Sequence, residues 1–217
     1  MTVPDTKSRE PKQARSRQSF EKTIEAALAL LQERGSDEFT LADVSAQSGV
    51  SIGSIYARFQ SKDELIRVAH GRKMDDIDAV SNHFFESLSI SPNAGLESVA
   101  QAAVDRTIEV LRRYADILRP FMLRATQDET ISNRGAASHA LLAKNFSDVL
   151  NQWPEGFLQE ADVDWSFNVV YSVVARRLGL GSTMEGSGNF GWPEIAEKLA
   201  GMVASYLLAG HQDSRRP

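Results

Sequence analysis

The helical spacing of the apolar residues constrains this chain more than any other feature of its sequence. Apolar side chains at Phe20, Ile24, Ala27, Leu28 and Leu31 follow the spacing i, i+4, i+7, i+8, i+11, which places them on one face of a helix. Similar spacing recurs up to the C-terminal end, and no segment alternates convincingly between apolar and polar residues. The sequence therefore predicts an all-α protein of about nine helices.

Interruptions of this pattern predict where the helices begin and end. The first helix is expected to end near Gly35. The second is expected to begin at Thr40 with Asp43 as its capping-box partner, and the fourth at Ser61 with Glu64 in the same role. Later helices are expected over residues 96–115, 130–153, 164–180 and 192–209, with a piece around Pro120 that is either a helix first turn or a kink.

Composition narrows the class of protein. The 217 residues are 42% hydrophobic and 24% charged, as in ordinary globular proteins, and they include no cysteine, which excludes disulfides and thiolate zinc sites. No apolar run approaches the roughly 18 residues of a membrane span, so we expect a cytoplasmic protein without a membrane partner. The net charge is −5, yet residues 1–22 carry six basic and three acidic side chains. We expect residues 1–14 to form a basic disordered arm of the kind that a nucleic-acid backbone attracts.

Two short patterns resemble catalytic or cofactor motifs without having the required context. Residues 49–53, GVSIG, fit G-x-S-x-G, and residues 186–191, GSGNFG, fit G-x-G-x-x-G. Both motifs need a preceding β-strand, and the pattern before each is helical or irregular. No two histidines have the i, i+3 or i+4 spacing of a metal site. We expect no catalytic residue, cofactor or metal, and an all-α serine hydrolase that uses Ser51 and His139 remains a remote alternative.

A long helix followed by two short helices and a tight turn describes a helix-turn-helix unit. Gly49 lies in the turn and can take the positive φ that such a turn needs. Val44, Val50, Ile55 and Phe59 are expected to form the apolar seam between the two short helices. The sequence therefore predicts a DNA-binding module in the first third of the chain.

At residues 40–65, TLADVSAQSGVSIGSIYARFQSKDEL, the sequence resembles the DNA-binding domain of the TetR family of transcriptional regulators. The resemblance extends over about residues 15–70 and is carried by Thr40, Gly49, Val50, Gly53, Tyr56, Phe59, Lys62 and Leu65 in order. It implies a helix-turn-helix domain over residues 15–62, from which a helix continues to about residue 86. It also implies a larger effector-binding and dimerisation domain over residues 63–210 and a tail over residues 211–217.

The resemblance also implies which residues meet DNA, where phosphate contacts fix register and groove contacts supply sequence preference. The implied phosphate ligands are Thr40, Ser54, Tyr56 and Lys62, and the implied base-edge residues are Ser51, Ile52 and Gly53. Further phosphate ligands are expected in the basic residues Arg15, Arg17 and Arg58. Two alternatives stay open: Tyr56 as a partly buried core aromatic, and Lys62 as a solvated charge in the first turn of its helix.

Ile52 departs from the family pattern, because many relatives carry a polar or basic residue there. The helix that contains it is poor in hydrogen-bond donors. Ile52 is therefore expected either to read thymine methyl groups by apolar contact or to leave more of the readout to backbone fit and DNA shape.

For the C-terminal domain the resemblance implies a homodimer and a small-molecule effector. Candidate pocket residues are Phe85, Tyr114, Phe121, Met122, Asn145, Phe146, Trp165, Asn168 and Tyr171. Candidate dimer contacts are Val174, Leu178, Ile195, Leu199, Met202, Val203 and Tyr206, although the same stripe suits the core of the monomer. The implied function is a repressor that an unidentified effector releases from double-stranded operator DNA. The alternative is an activator, or a regulator controlled by a partner protein.

Overall fold

The computed structural model describes residues 9–153, 158–181 and 190–213, and within these ranges the chain is all-α, as predicted, with no strand. Eight helices follow one another in these ranges: α1 (Arg9–Arg34), α2 (Leu41–Ser48), α3 (Ile52–Tyr56), α4 (Lys62–Glu86), α5 (Leu96–Ala125), α6 (Glu129–Leu150), α7 (Glu160–Arg177) and α8 (Trp192–Asp213). None of the described helices is long and apolar enough to cross a membrane.

The expected number of nine helices is corrected at Pro120. Helix α5 runs continuously from Leu96 to Ala125 and includes Pro120, where we expected a separate piece. Proline removes one backbone hydrogen bond from a helix interior. Pro120 and Phe121 are both buried, and α5 packs extensively against α6 and α8, so burial of its apolar stripe offsets that loss.

Residues 1–73 form one compact unit, called here the N-terminal unit, and residues 74–217 form the C-terminal unit; the division falls within α4. The arm expected over residues 1–14 is corrected in part, because α1 already begins at Arg9. Residues 1–8 lie outside the described part of the chain. In the N-terminal unit Leu31, Val44 and Leu65 are fully buried, and Phe20 stacks on Phe59 with 5.7 Å between ring centres.

Helix α5 is the central element of the C-terminal unit. It packs against α6, α7 and α8, while α7 also packs against α6 and α8. Phe146 of α6 and Phe167 of α7 are almost completely buried, and their ring centres are 5.6 Å apart. The tail expected from residue 211 is also corrected, because α8 continues to Asp213.

Candidate nucleic-acid interface

The start of α2 is fixed by the capping box that the sequence predicts. The Asp43 backbone N–H donates to Thr40 Oγ1 at 3.1 Å, and the Thr40 backbone N–H donates to Asp43 Oδ2 at 2.7 Å. These bonds satisfy donors that a helix start otherwise leaves unpaired. Hydrogen bonds from the Thr40 backbone N–H, which has the larger effect, and from the Thr40 hydroxyl lower the pKa of the Asp43 carboxyl.

The turn between α2 and α3 has the conformation expected at Gly49. Its φ is +67°, and its N–H donates to the carbonyl of Ser45 at 3.0 Å, which closes the last turn of α2. The Ser45 hydroxyl donates to the carbonyl of Val50 at 2.7 Å, and the Val50 N–H donates to Ser48 Oγ at 3.1 Å. Local hydrogen bonds therefore hold the turn that sets the crossing of the two helices.

The seam between α2 and α3 is buried as predicted. Val44 and Ile55 have no exposed surface, Phe59 is 2% exposed, and Val50 is 9% exposed. Ser51 is the N-cap of α3 and its side chain accepts the Ser54 N–H at 3.3 Å. Buried Ile55 on one side of a five-residue helix determines which of its side chains face outward.

The outward face of α3 consists mainly of the residues expected to meet DNA. Ile52 is 42% exposed and Tyr56 is 56% exposed, so the alternative of Tyr56 as a core aromatic is wrong. Apart from the neighbouring residues and the backbone of α3 itself, no atom lies within 4 Å of the position that a Cβ on Gly53 would take, which leaves open space beside the helix. Ser51 and Ser54 are also exposed, and their hydroxyl oxygens are 2.8 Å apart.

Lys62, at the start of α4, is bound to the loop that follows α1. Its Nζ donates to the carbonyl of Asp37 at 2.6 Å, lies 3.9 Å from the carboxylate of Asp37 and lies 5.3 Å from the ring centre of Phe39. The alternative of a solvated charge is therefore wrong. An ammonium has three N–H donors, so the bond to Asp37 is compatible with a phosphate contact.

The second predicted capping box, at the start of α4, differs by one residue. The Glu64 N–H donates to Ser61 Oγ at 3.1 Å, as expected. The Glu64 carboxylate accepts the N–H of Gln60 at 2.6 Å, where the capping box would use the N–H of Ser61.

A basic groove lies on α1 beside the end of α3, and only part of it was predicted. The guanidinium of Arg58 donates to Ser16 Oγ at 2.7 Å and lies 6.0 Å from the ring centre of Phe20. The guanidinium of Arg72 lies 4.9 Å from the same ring and pairs with Glu21. We call this the arginine groove. Its volume is about 910 Å³, and its lining residues are Gln13, Ser16, Arg17, Phe20, Glu21, Arg58 and Arg72.

Sequence reasoning identified Arg17 and Arg58 but missed Ser16 and Arg72. Arg15 is exposed on the same helix as Arg17, and it is not one of the residues that line the arginine groove. Ser16 and Arg58 are 42 positions apart, and no local pattern predicts that they meet.

Comparison with known proteins agrees with this geometry. The family described as bacterial regulatory proteins, tetR family, matches residues 24–69, which include α2, the turn and α3. Residues 24–69 therefore form a helix-turn-helix domain of the TetR family. The match identifies this part of the chain as a DNA-binding helix-turn-helix domain.

Relatives of the chain were found by sequence and by structure. It is 25% identical over 109 residues to the uncharacterised HTH-type transcriptional regulator YvdT of Bacillus subtilis strain 168, and the match covers 50% of this chain and 52% of YvdT. The chain therefore spans about half the length of this curated relative.

Three solved structures share the fold of this chain. They are GusR of Salmonella enterica (TM-score 0.61, 17% identity, 88% of this chain and 95% of the other), a TetR transcription regulator of Haloarcula marismortui ATCC 43049 (0.59, 16%, 88% and 97%) and the fatty acid degradation regulator FadR of Bacillus halodurans (0.56, 16%, 88% and 95%). The matched domain is that of bacterial regulatory proteins, and these three structures show that the fold of the chain is shared.

The two motifs that resemble enzyme sites do not lie in the structural context that those enzyme motifs require. The GVSIG stretch joins two helices, and Ser51 caps α3 through its bond with the Ser54 N–H. The required strand is absent from the described residues before it. Most of the glycine-rich stretch at residues 186–191 lies outside the described part of the chain. The described residues contain no group of three or more His, Asp or Glu that could hold a metal ion.

The candidate pocket residues of the C-terminal unit divide into two groups. Phe85, Phe121, Asn145 and Phe146 are buried, and Tyr114, Met122 and Tyr171 are partly buried. Trp165 is 59% exposed and Asn168 is also exposed, so the structure does not place these two in an enclosed pocket. The buried stripe of α7 passes through Val163, Phe167, Val170 and Val174, which turns Trp165 and Asn168 outward.

An aromatic cluster connects α6 with α7 inside the C-terminal unit. It consists of His139, Phe146, Phe167 and Tyr171, with the His139 and Tyr171 rings edge-to-face at 4.5 Å. Burial lowers the pKa of His139 and raises that of the Tyr171 hydroxyl, so both groups favour their neutral forms. Close by in sequence, the Asn145 amide donates to Asn82 Oδ1 at 2.8 Å.

Most of the candidate dimer residues are buried within their own chain. Val174, Leu178, Ile195, Leu199 and Val203 are buried without a second copy, which agrees with the alternative that this stripe serves the core of the monomer. Met202 and Tyr206 are 43% and 41% exposed. The Tyr206 hydroxyl donates to Asp162 Oδ1 at 2.9 Å, which raises the pKa of Tyr206.

Sequence reasoning missed other apolar side chains exposed on the same two helices. Val173 is 42% exposed on α7 and Leu208 is 39% exposed on α8, alongside Trp165. Their apolar character is visible in the sequence. Their exposure is not, because residues on both sides of α7 are apolar.

Proposed function

We propose that this regulator binds its operator as a homodimer, with α3 of each protomer in the major groove, and that a small molecule held by the C-terminal unit releases it. One observation carries the DNA part of the proposal. Helix α3 is fastened by fully buried Ile55 and turns Ile52, Gly53 and Tyr56 outward. A short helix of this kind after a tight turn is the element with which helix-turn-helix proteins read base edges.

The contacts proposed for α3 follow from its exposed groups. Ser51, Ile52 and Gly53 at its start face the base edges, and Ser54 and Tyr56 reach the flanking phosphates. The absence of a side chain at Gly53 allows the helix backbone to approach the groove floor closely. Thr40 and Lys62 lie at the starts of α2 and α4, where helix dipoles favour phosphate oxygens.

The arginine groove extends the proposed phosphate contact onto α1. Arg58 comes two residues after the end of α3, and its bond to Ser16 holds the guanidinium in one position. A guanidinium held in place loses less side-chain freedom on binding a phosphate than a free one does. Arg17 lines the same groove and Arg15 is exposed nearby on α1.

The proposed dimer contact lies on the outer faces of α7 and α8. Trp165, Val173, Met202 and Leu208 expose apolar surface there, and aromatic residues and methionine are enriched in protein interfaces. Two-fold symmetry would place two copies of α3 about one helical turn of DNA apart, or a multiple of it.

The proposed effector site lies among the buried and partly buried pocket candidates of the C-terminal unit. The described candidates combine aromatic rings with few polar groups, which suits a largely apolar effector. The name of the structural relative FadR refers to fatty acid degradation, which makes acyl compounds a reasonable first set to screen. An effector releases DNA only if it prefers the conformation that binds DNA less well. We propose that the protein acts in the cytoplasm, where it meets its operator.

Titration of selected operator DNA, with and without candidate effectors, tests the proposal. Sequence-selective binding that an effector weakens supports a ligand-released repressor. Selective binding that no small molecule changes contradicts the effector part and favours control by a partner protein. Binding that an effector strengthens contradicts release and favours the other direction of regulation.

A further inference from the structure

We infer that Ile52 contributes to the sequence preference of this protein by packing against the 5-methyl group of thymine. The inference rests on the proposed placement of α3 in the major groove. It names the chemical group on DNA that one side chain recognises.

The hydroxyls next to Ile52 are largely occupied by each other. Ser51 Oγ and Ser54 Oγ are 2.8 Å apart, and Ser51 Oγ also accepts the Ser54 N–H at 3.3 Å. Each hydroxyl has one O–H, so the pair keeps a single free donor after their mutual bond. Gly53 has no side chain. The start of α3 therefore has little capacity to read bases through hydrogen bonds.

The largest group presented at this end of α3 is the apolar side chain of Ile52. It is 42% exposed as the first residue of the helix, and the space beside Gly53 is open. Ile55 is fully buried on the other side, which prevents α3 from rolling to present a different residue. An Ile side chain in this position meets whatever lies on the floor of the groove.

The chemistry of the major groove selects one partner for such a side chain. Thymine is the base that displays a methyl group there, whereas cytosine displays an amino donor and guanine two acceptors. Ile52 would remove water from those polar groups without replacing their hydrogen bonds, which disfavours them. Burial of one methyl group gives a preference of roughly fourfold over the same site without it.

Replacement of thymine by uracil in a selected operator tests this inference, because it deletes the methyl group and nothing else. The wild-type protein is first used to select its preferred duplex from a random pool. Duplexes with uracil at single thymine positions are then titrated with wild type and with Ile52→Ala. We expect wild type to lose roughly fourfold in affinity at one thymine of each half-site, and Ile52→Ala to bind the thymine and uracil duplexes equally at that position.

Two controls make the test decisive. Ile52→Val keeps a branched apolar side chain and should retain most of the discrimination, and unfolding curves should show all three proteins equally stable because residue 52 is exposed. If Ile52→Ala discriminates as well as wild type, another group reads the methyl and the inference is overturned. It is also overturned if no thymine shows a uracil effect, a result that favours readout of DNA shape. Failure to select any duplex would instead contradict the proposed function itself.

Discussion

At the scale of single residues, Gly49 and Gly53 have different roles that two alanine substitutions separate. Gly49 has a φ of +67°, where alanine is strained, so Gly49→Ala should lower the free energy of unfolding by about 1 kcal/mol. Gly53 lies in α3 with open space around it, so Gly53→Ala should leave stability unchanged or raise it by up to about 1 kcal/mol.

In DNA binding we expect the reverse, with the larger loss of affinity in Gly53→Ala. The added methyl of Gly53→Ala occupies the space proposed for the groove floor, so its DNA affinity should fall about tenfold or more. Chemical denaturation and duplex titration measure the two properties separately. A Gly53→Ala protein with wild-type affinity would contradict the close approach of α3 to DNA.

Lys62 is expected to serve both the fold and the DNA contact. Lys62→Gln should lower the free energy of unfolding by about 1 kcal/mol, because the bond from Nζ to the Asp37 carbonyl is lost. It should also reduce the slope of log affinity against log salt by about 1.8, because each protomer of the proposed dimer loses one phosphate contact worth about 0.9. Lys144→Gln removes an exposed charge from α6 and is the matched control. An unchanged slope would make Lys62 a structural residue alone.

Individual residues were predictable from the sequence where their partners are close in the chain. Thr40 and Asp43, three positions apart, form a capping box. Gly49 closes the end of α2 and Ser51 caps the start of α3, each through a residue three or four positions away. The bond from Lys62 to Asp37 spans 25 positions, and its partner depends on how α1 and α4 pack. No local pattern specifies such a partner.

At the scale of helices, the capping box makes the stability of α2 depend on pH. Hydrogen bonds from Thr40 lower the pKa of Asp43 in the folded protein. A carboxyl of this kind stabilises the fold above its ordinary pKa, and the contribution is lost as the pH falls through the folded-state value. Wild type should therefore be more stable than Asp43→Asn near neutral pH, and the difference should shrink below about pH 4.

Thermal unfolding of both proteins at neutral and acid pH checks this expectation. The melting temperatures of wild type and Asp43→Asn should converge on acidification, because protonated aspartate and asparagine are both neutral. A difference that stays constant with pH would show that the charge of Asp43 does not stabilise α2.

The arginine groove predicts that α1 takes part in DNA binding together with α3. Arg58→Gln should weaken binding to operator and to random duplexes alike and should reduce the salt slope by about 1.8, about 0.9 for each protomer of the proposed dimer. Ser16→Ala keeps the charge but frees the guanidinium, so affinity should fall by a smaller factor and the slope should stay. Arg112→Gln, in the C-terminal unit, is the control for loss of one arginine. A wild-type slope in Arg58→Gln would remove the groove from the interface.

The helices themselves were largely predictable from apolar spacing, with one instructive error. The sequence predicted a helix that ends at residue 115 and a further piece around Pro120, either a helix first turn or a kink, but α5 continues to Ala125. Local chemistry disfavours proline inside a helix, whereas the burial of Pro120 and Phe121 depends on packing with other helices. The balance between the two is therefore not visible in α5 alone.

At the scale of the whole molecule, dimerisation through α7 and α8 is the main expectation beyond the monomer. Val173→Asp places a charge on an exposed apolar position and should raise the dissociation constant of the dimer by about tenfold or more. Leu123→Asp makes the same change on α5, at a side chain that is 56% exposed, and should leave the dimer intact. Sedimentation equilibrium measures both, and equal effects of the two variants would contradict an interface on α7.

The dimer surface illustrates what a sequence pattern leaves open. Five of the seven predicted contact residues, including Val174 and Leu199, are buried within their own chain. Apolar spacing shows that a side chain avoids water, but it does not show whether the same chain or a second copy covers it. Trp165 was predicted to line the pocket but is exposed. Because α7 has apolar residues on both of its sides, apolar spacing alone does not show which way Trp165 points.

Footprinting of the protein on its selected duplex measures whether two copies of α3 read one operator. We expect two symmetric protected half-sites about one helical turn apart, or a multiple of it, and protection of both by Gly53→Ala should need about tenfold more protein or beyond. A single asymmetric protected site, or protection that is the same on any sequence, would contradict this expectation.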